Sequence, residues 1–265
     1  MLELLSFSFM QRALAAGVIV GLITSYLGIF VVQRNLSFLG EGLAHAALGG
    51  IAIGVLLGSQ PTWVALPFAV AVALLIVFLQ DYGLLSGDAV IGVVFSVAMA
   101  GGVVLLAQAP TYNQDLSTYL FGSILSVGSV DLATLAAALL VVAMAVPLWG
   151  RWSYATFDPE LAAADRVPVR RDNYLLAGLI AVVVVVSIKV VGIVLTSACL
   201  VIPAASARLW TGNFQHMTWV ALLLGLLSAP LGLATSYLTD APSGATIVLV
   251  QGAFFALALA WHRKS

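Results

Sequence analysis

Apolar residues run through this chain in long blocks separated by short polar breaks. The blocks cover 13–33, 42–58, 62–80, 88–108, 130–149, 173–190, 192–209, 217–238 and 244–262. Each is close to the length of about 20 residues that carries an α-helix across a bilayer. The pattern predicts about nine transmembrane helices joined by short connections. Two blocks also carry small residues every fourth position: Ala13, Gly17, Gly21 and Ser25 in the first, and Gly42, Ala46, Gly50 and Gly54 in the second. Stripes of this kind let helix backbones approach closely in lipid.

Composition turns that pattern into a class. The chain is 62% hydrophobic and 8% charged, against about 25% charged in soluble domains. The reading is an all-α polytopic membrane protein, one transmembrane domain over residues 1–265. The net charge of −1 gives no sign of a nucleic-acid partner. Cys199 is the single cysteine, so no internal disulfide can form, and its apolar neighbours mark it as packing. The first block flows into a full span with no evident cleavage site. No Gly-x-x-x-x-Gly-Lys-Ser/Thr loop is present: the lysines are Lys189 and Lys264, and neither follows a glycine. The chain alone should not hydrolyse ATP.

Basic residues orient the spans. With His262, Arg263 and Lys264 on the cytoplasmic side, nine spans also place Arg34, Arg151, Arg166, Arg170, Arg171 and Arg208 there. Arg12 and Lys189 remain outside. The C-terminus is then cytoplasmic and the N-terminus external.

Against this apolar background Glu41 and His45 stand out. They are spaced i and i+4, so a helix stacks them on one face. An ionisable group at the bilayer centre costs roughly 2.5–3.5 kcal/mol on insertion scales. Two on one face point to a polar path, a mutual pair or a bound cation. Carboxylate plus imidazole suits zinc or manganese; the alternative is an interfacial glutamate beside a satisfied core histidine.

The longest charged stretch, 151–172, lies on the basic side. Asp158 can cap a short helix with Pro159 at its first position and Glu160 in its first turn, with Pro168 ending it. Such a helix is either a docking element for a soluble partner or an amphipathic connector. His216 and His262 fall at cytoplasmic span ends and read as solvated. Lys189 reads as snorkelling to the outer interface. Asp115 and Asp131 flank an outer segment without basic residues, while Tyr119, Phe121 and Trp149 fit interfacial aromatic belts.

Several segments together resemble the permease subunits of the zinc/manganese/iron ABC importers, the ABC-3 type membrane components. Ser37-Phe38-Leu39-Gly40-Glu41-Gly42-Leu43-Ala44-His45-Ala46 resembles the family's S-x-x-G-D-x-x-x-H-A signature. Gly87-Asp88-Ala89-Val90-Ile91-Gly92-Val93-Val94-Phe95-Ser96 is similar to its D-x-A-I-G-x-x-F-S. Asp115 through Leu125 resembles D-L-x-x-Y-L-F-G-x-I-L, and Phe157-Asp158-Pro159-Glu160-Leu161-Ala162 resembles the F-D-x-E-x-A of its cytoplasmic coupling helix. Val191 through Arg208 is similar to V-G-x-L-L…I-P-A-A-x-A-R. The likeness runs in order from about residue 10 to 262.

The resemblance implies a type II importer permease in a bacterial cytoplasmic membrane, similar to the vitamin B12 and siderophore permeases but one helix shorter at the N-terminus. It implies a second copy of the chain, an ATP-binding subunit that hydrolyses ATP, and an extracellular metal-binding protein. No permanently bound cofactor is implied; the cargo is zinc or manganese, with iron a further candidate. Glu41 and His45 take the family's metal-pathway positions, and Phe157, Asp158, Pro159, Glu160, Leu161 and Ala162 its ATPase-coupling positions. The family usually has aspartate where this chain has Glu41. Competing readings are weaker. A chelate or corrinoid permease would have a wide cavity without cation ligands. A secondary transporter would need no coupling element and would often show inverted repeats. An enzyme would need a nucleophile with a placed base.

Overall fold

The computed structural model describes residues 7–83, 85–108, 120 and 122–262. Nine helical segments among the described residues are long and apolar enough to cross a membrane, one for each predicted block. They are α1 (Ser8–Gln33), α2 (Ser37–Leu56), α3 (Pro61–Asp81), α4 (Gly87–Ala107), the compound segment Ser129–Phe157, α8 (Val169–Val191), α9 (Ile193–Trp210), α10 (Phe214–Thr239) and α11 (Ser243–His262). The compound segment is α5 (Ser129–Ala145), a single 3-10 turn (Val146–Leu148) and α6 (Trp149–Phe157), with Pro147 in the turn removing a donor from the ladder. The short helix α7 (Pro159–Ala164) follows.

Turn chemistry sets the breaks. Gly58 takes a left-handed conformation (φ 61°) just past α2, and Pro61 opens α3 with its fixed φ. Gly192 (φ 95°) separates α8 from α9 without a loop. A side chain on Gly122 (φ 69°) would run into Gly192 and Val191, so the segment before α5 can lie directly on that break.

Three helices form the centre. The most apolar windows of α1, α2 and α8 are 78%, 72% and 67% buried, against 22% for α4 and for Ser129–Phe157. Lipid gives little hydrophobic drive for helices to associate, so contact depends on close backbone approach. The first stripe meets α10: a Cβ on Gly21 would strike the Gly225 carbonyl, and one on Gly17 would lie 2.8 Å from Ala229 Cβ. Glycines of the second stripe meet α3 and α4 of the same chain, Gly50 against Ala65 and Phe68, Gly54 against Pro61, and Gly42 against Ile91. They are packing positions within one copy.

Side-chain bonds place four of the basic residues, and the loop holding a fifth, at one end of the bundle. Arg34 reaches Thr156 and Asn173, Arg151 pairs with Asp172, Arg170 pairs with Asp81, and Arg208 donates to the Val32 carbonyl. Arg166 lies in the loop between α7 and α8 at the same end. Lys189 lies at the opposite end, where its partly exposed ammonium meets Asp131 at 2.7 Å and ties α8 to the start of α5. The aromatic expectation for Trp149 also changes. Its indole stacks on Phe214 (5.5 Å, 24°) and donates to Thr218. Asp115, Tyr119 and Phe121 lie outside the described residues.

Candidate functional site

Alanine and glycine make most of α2 thin enough to be surrounded by α3, α4, α8 and α9. From Leu39 to Ala52 every residue is buried except Glu41 and His45. Glu41 is exposed and His45 half-buried, on the same face one turn apart. The face borders α4, because Gly42 seats Ile91 and the His45 ring lies 6.2 Å from that of Phe95, tilted by 33°. His45 Nδ1 is buried with no hydrogen-bond partner. A carboxylate and an imidazole with a free ring nitrogen make two donors for a divalent ion. Among the described residues no group of three or more His, Cys, Asp or Glu side chains converges.

The cytoplasmic-side candidates build a second feature. The expected helix over Phe157–Ala162 is displaced by two residues. Phe157 is the last residue of α6, Asp158 is the junction, and α7 runs Pro159–Ala164. The start signals are as expected: the Asp158 carboxylate accepts from Leu161 N–H at 2.9 Å, Pro159 is at the first position and Glu160 in the first turn. The helix ends before Pro168, in a turn where Arg166 is left-handed (φ 60°), and Pro168 caps α8 instead. Most of the expected loop is therefore helical. Ala162 is fully buried, whereas Phe157 and Leu161 are 56% and 51% exposed. One edge of Phe157 rests on Phe214 (5.4 Å, 89°). The surface presents two large apolar side chains around Glu160 at the basic end.

A third group was not singled out by sequence reasoning. Arg34, just past α1, donates to Thr156 Oγ1 (2.9 Å), Asn173 Oδ1 (2.7 Å) and the Trp152 carbonyl (3.5 Å). Burial pushes its guanidinium down to about 10, against the opposing pull of Asp172, so it stays charged at neutral pH. Asp172 is wholly buried and pairs with Arg151 at 2.7 Å. In the sequence Arg34 lies more than a hundred positions from Thr156, Asn173 and Trp152, and no spacing signal joins it to them. His216 and His262 are exposed, and Cys199 is buried.

Nine apolar segments among the described residues, an ionisable face on a central helix and a structured basic end define a polytopic membrane transport subunit. The chain belongs to the ABC 3 transport family, whose model matches residues 6–262. It is 36% identical over 263 residues to the manganese transport system membrane protein MntC of Halalkalibacterium halodurans, covering 99% of this chain and 90% of that one. It is 30% identical over 254 residues to the high-affinity zinc uptake system membrane protein ZnuB of Haemophilus influenzae, covering 96% and 97%. Among solved structures, PsaBC from Streptococcus pneumoniae in complex with Fab superposes with a TM-score of 0.85 at 30% identity, covering 97% of this chain and 92% of that one.

Proposed function

We propose that this chain is the permease of an ATP-driven importer for a divalent transition metal, zinc or manganese, and that Glu41 and His45 touch the ion in transit. The carrying observation is the lone pair of ionisable groups on the exposed face of an otherwise buried helix, with His45 Nδ1 unpartnered. The relatives' names, one for manganese and one for zinc, support the cargo class. The donor pair suits either metal, and iron(II) as well.

An incomplete site fits a pathway, since tight closure would oppose release. Water, backbone carbonyls or the same pair from a second copy across a two-fold axis would complete it. The chain acts as one transmembrane domain over residues 1–265. In this reading Phe157, Asp158, Pro159, Glu160, Leu161 and Ala162, extended by α7 to Ala164, seat in an ATP-binding subunit that supplies the hydrolysis. An extracellular metal-binding protein delivers the ion to the opposite end. The basic end, C-terminus included, faces the cytoplasm of a bacterial cell, as the positive-inside bias requires.

Metal accumulation by cells carrying the intact transporter, compared across zinc, manganese and iron, tests this reading. The expected result is saturable uptake of zinc or manganese that vanishes when the permease is deleted. Uptake of a chelate or corrinoid with none of the free ions would overturn it.

A further inference from the structure

Arg34 sits between the end of α1 and the start of α2, the helix that carries Glu41 and His45. Its main-chain N–H closes α1 on the Phe30 carbonyl. Its side chain grips α6 twice, at Thr156 and the Trp152 carbonyl, and α8 once, at Asn173. Only Asn35 and Leu36 separate it from Ser37, the first residue of α2. That link is not slack: Asn35 is left-handed (φ 56°), and Leu36 N–H donates to Val31 O at 2.9 Å.

A cavity of about 330 Å³ lies between Leu36 and Leu39 on one side and Ala155, Thr156 and Pro159 on the other. Residues of α3 and α8, among them Val77, Gln80 and Ile180, complete its wall. Arg34 lines the same cavity, and its charged fork ties the end of α1 to α6 and α8 across it. Desolvated arginine hydrogen bonds with several acceptors hold direction as well as distance. The aromatic contact of Phe30 with Trp152 (5.5 Å, 89°) anchors the preceding turn of α1.

We propose that Arg34 is the positioning residue through which movement of the α6–α7 segment is passed to α2, and so to Glu41 and His45. The inference rests on the proposed ATPase contact and pathway. Arg34 touches neither the cargo nor the ATP-binding subunit; it sets the angle at which α2 leaves α1. Rigid elements with a defined connection can carry coupling only if a change at one end alters the other, which is directly measurable.

The experiment uses the full permease with its ATP-binding subunit in nanodiscs, with Cys199→Ala as background. Spin labels at Ala163 and Leu238 report α7, and labels at Ser37 and Leu238 report the start of α2. Distances are measured without nucleotide and with ATP plus vanadate. Both pairs should shift in the parent protein. In Arg34→Gln the Ala163 pair should still shift while the Ser37 pair stays fixed, and cargo moved per ATP hydrolysed should fall about tenfold. Arg34→Lys, which keeps the charge beside Asp172 but lacks the fork, should give an intermediate result and serves if the glutamine variant does not assemble. A Ser37 shift that survives intact in the variants overturns the inference alone. A proportional loss of hydrolysis and transport, with coupling unchanged, also overturns it. No shift at Ala163 in the parent protein overturns the ATPase-contact reading and this inference with it.

Discussion

Asp172 is a carboxylate with no solvent exposure, held by Arg151 on one oxygen, while the other has no hydrogen-bond partner. Removing one member of such a pair leaves a buried charge without compensation. Arg151→Ala should therefore lower stability by about 3 kcal/mol, read as a drop in thermal midpoint in detergent. An unchanged midpoint would mean that Arg34 alone neutralises Asp172. The Lys189–Asp131 pair is different. Its side chains are 41% and 22% exposed, so solvent screening leaves it a modest tether. Glu41 is exposed and bonded to no described side chain, so Glu41→Ala should leave the midpoint within about 0.5 kcal/mol of the parent. A large loss would make Glu41 structural and remove it from the pathway.

At the scale of elements, glycine positions separate packing from mere composition. A methyl group on Gly21 would meet the backbone of Gly225, which cannot rotate away, whereas nothing lies within 4 Å of a methyl group on Gly178. Gly21→Ala should cost about 1–3 kcal/mol by overpacking. Gly178→Ala should be neutral or gain up to about 1 kcal/mol through helix propensity. Equal thermal midpoints for the two variants would contradict the α1–α10 contact.

The nine helices were legible because hydropathy and length are local properties of the chain, and lipid forbids most other spanning structures. Which neighbour each stripe meets was not legible: periodicity gives the face and not the partner, and Gly42 and Gly50 turned out to face different helices. The start of α7 could be read from Asp158, Pro159 and Glu160 because capping is also local. Its end is not legible in the same way, because Pro168 reads as a stop in the sequence but caps the next helix. Glu41 and His45 stood out as charges in an apolar run. Arg34, Asp172 and Asn173 did not, since their meaning is a contact between distant segments.

For the whole molecule, the basic end and the exposed pair Phe157 and Leu161 define a face suited to a soluble partner. Glu160→Arg reverses the charge between those two apolar groups. It should reduce co-purification of the ATP-binding subunit, or leave hydrolysis without transport, while the permease itself keeps its thermal midpoint. Cysteine labelling of this segment from outside the cell would contradict the orientation. The central claim is that the ion passes Glu41 and His45. Its most direct test is uptake of radioactive zinc or manganese into proteoliposomes containing the complete transporter, comparing the parent with the Glu41→Ala, His45→Ala double variant at equal reconstitution. Transport should fall to the level of empty liposomes while the variant complex remains assembled. Uptake at the parental rate would contradict it.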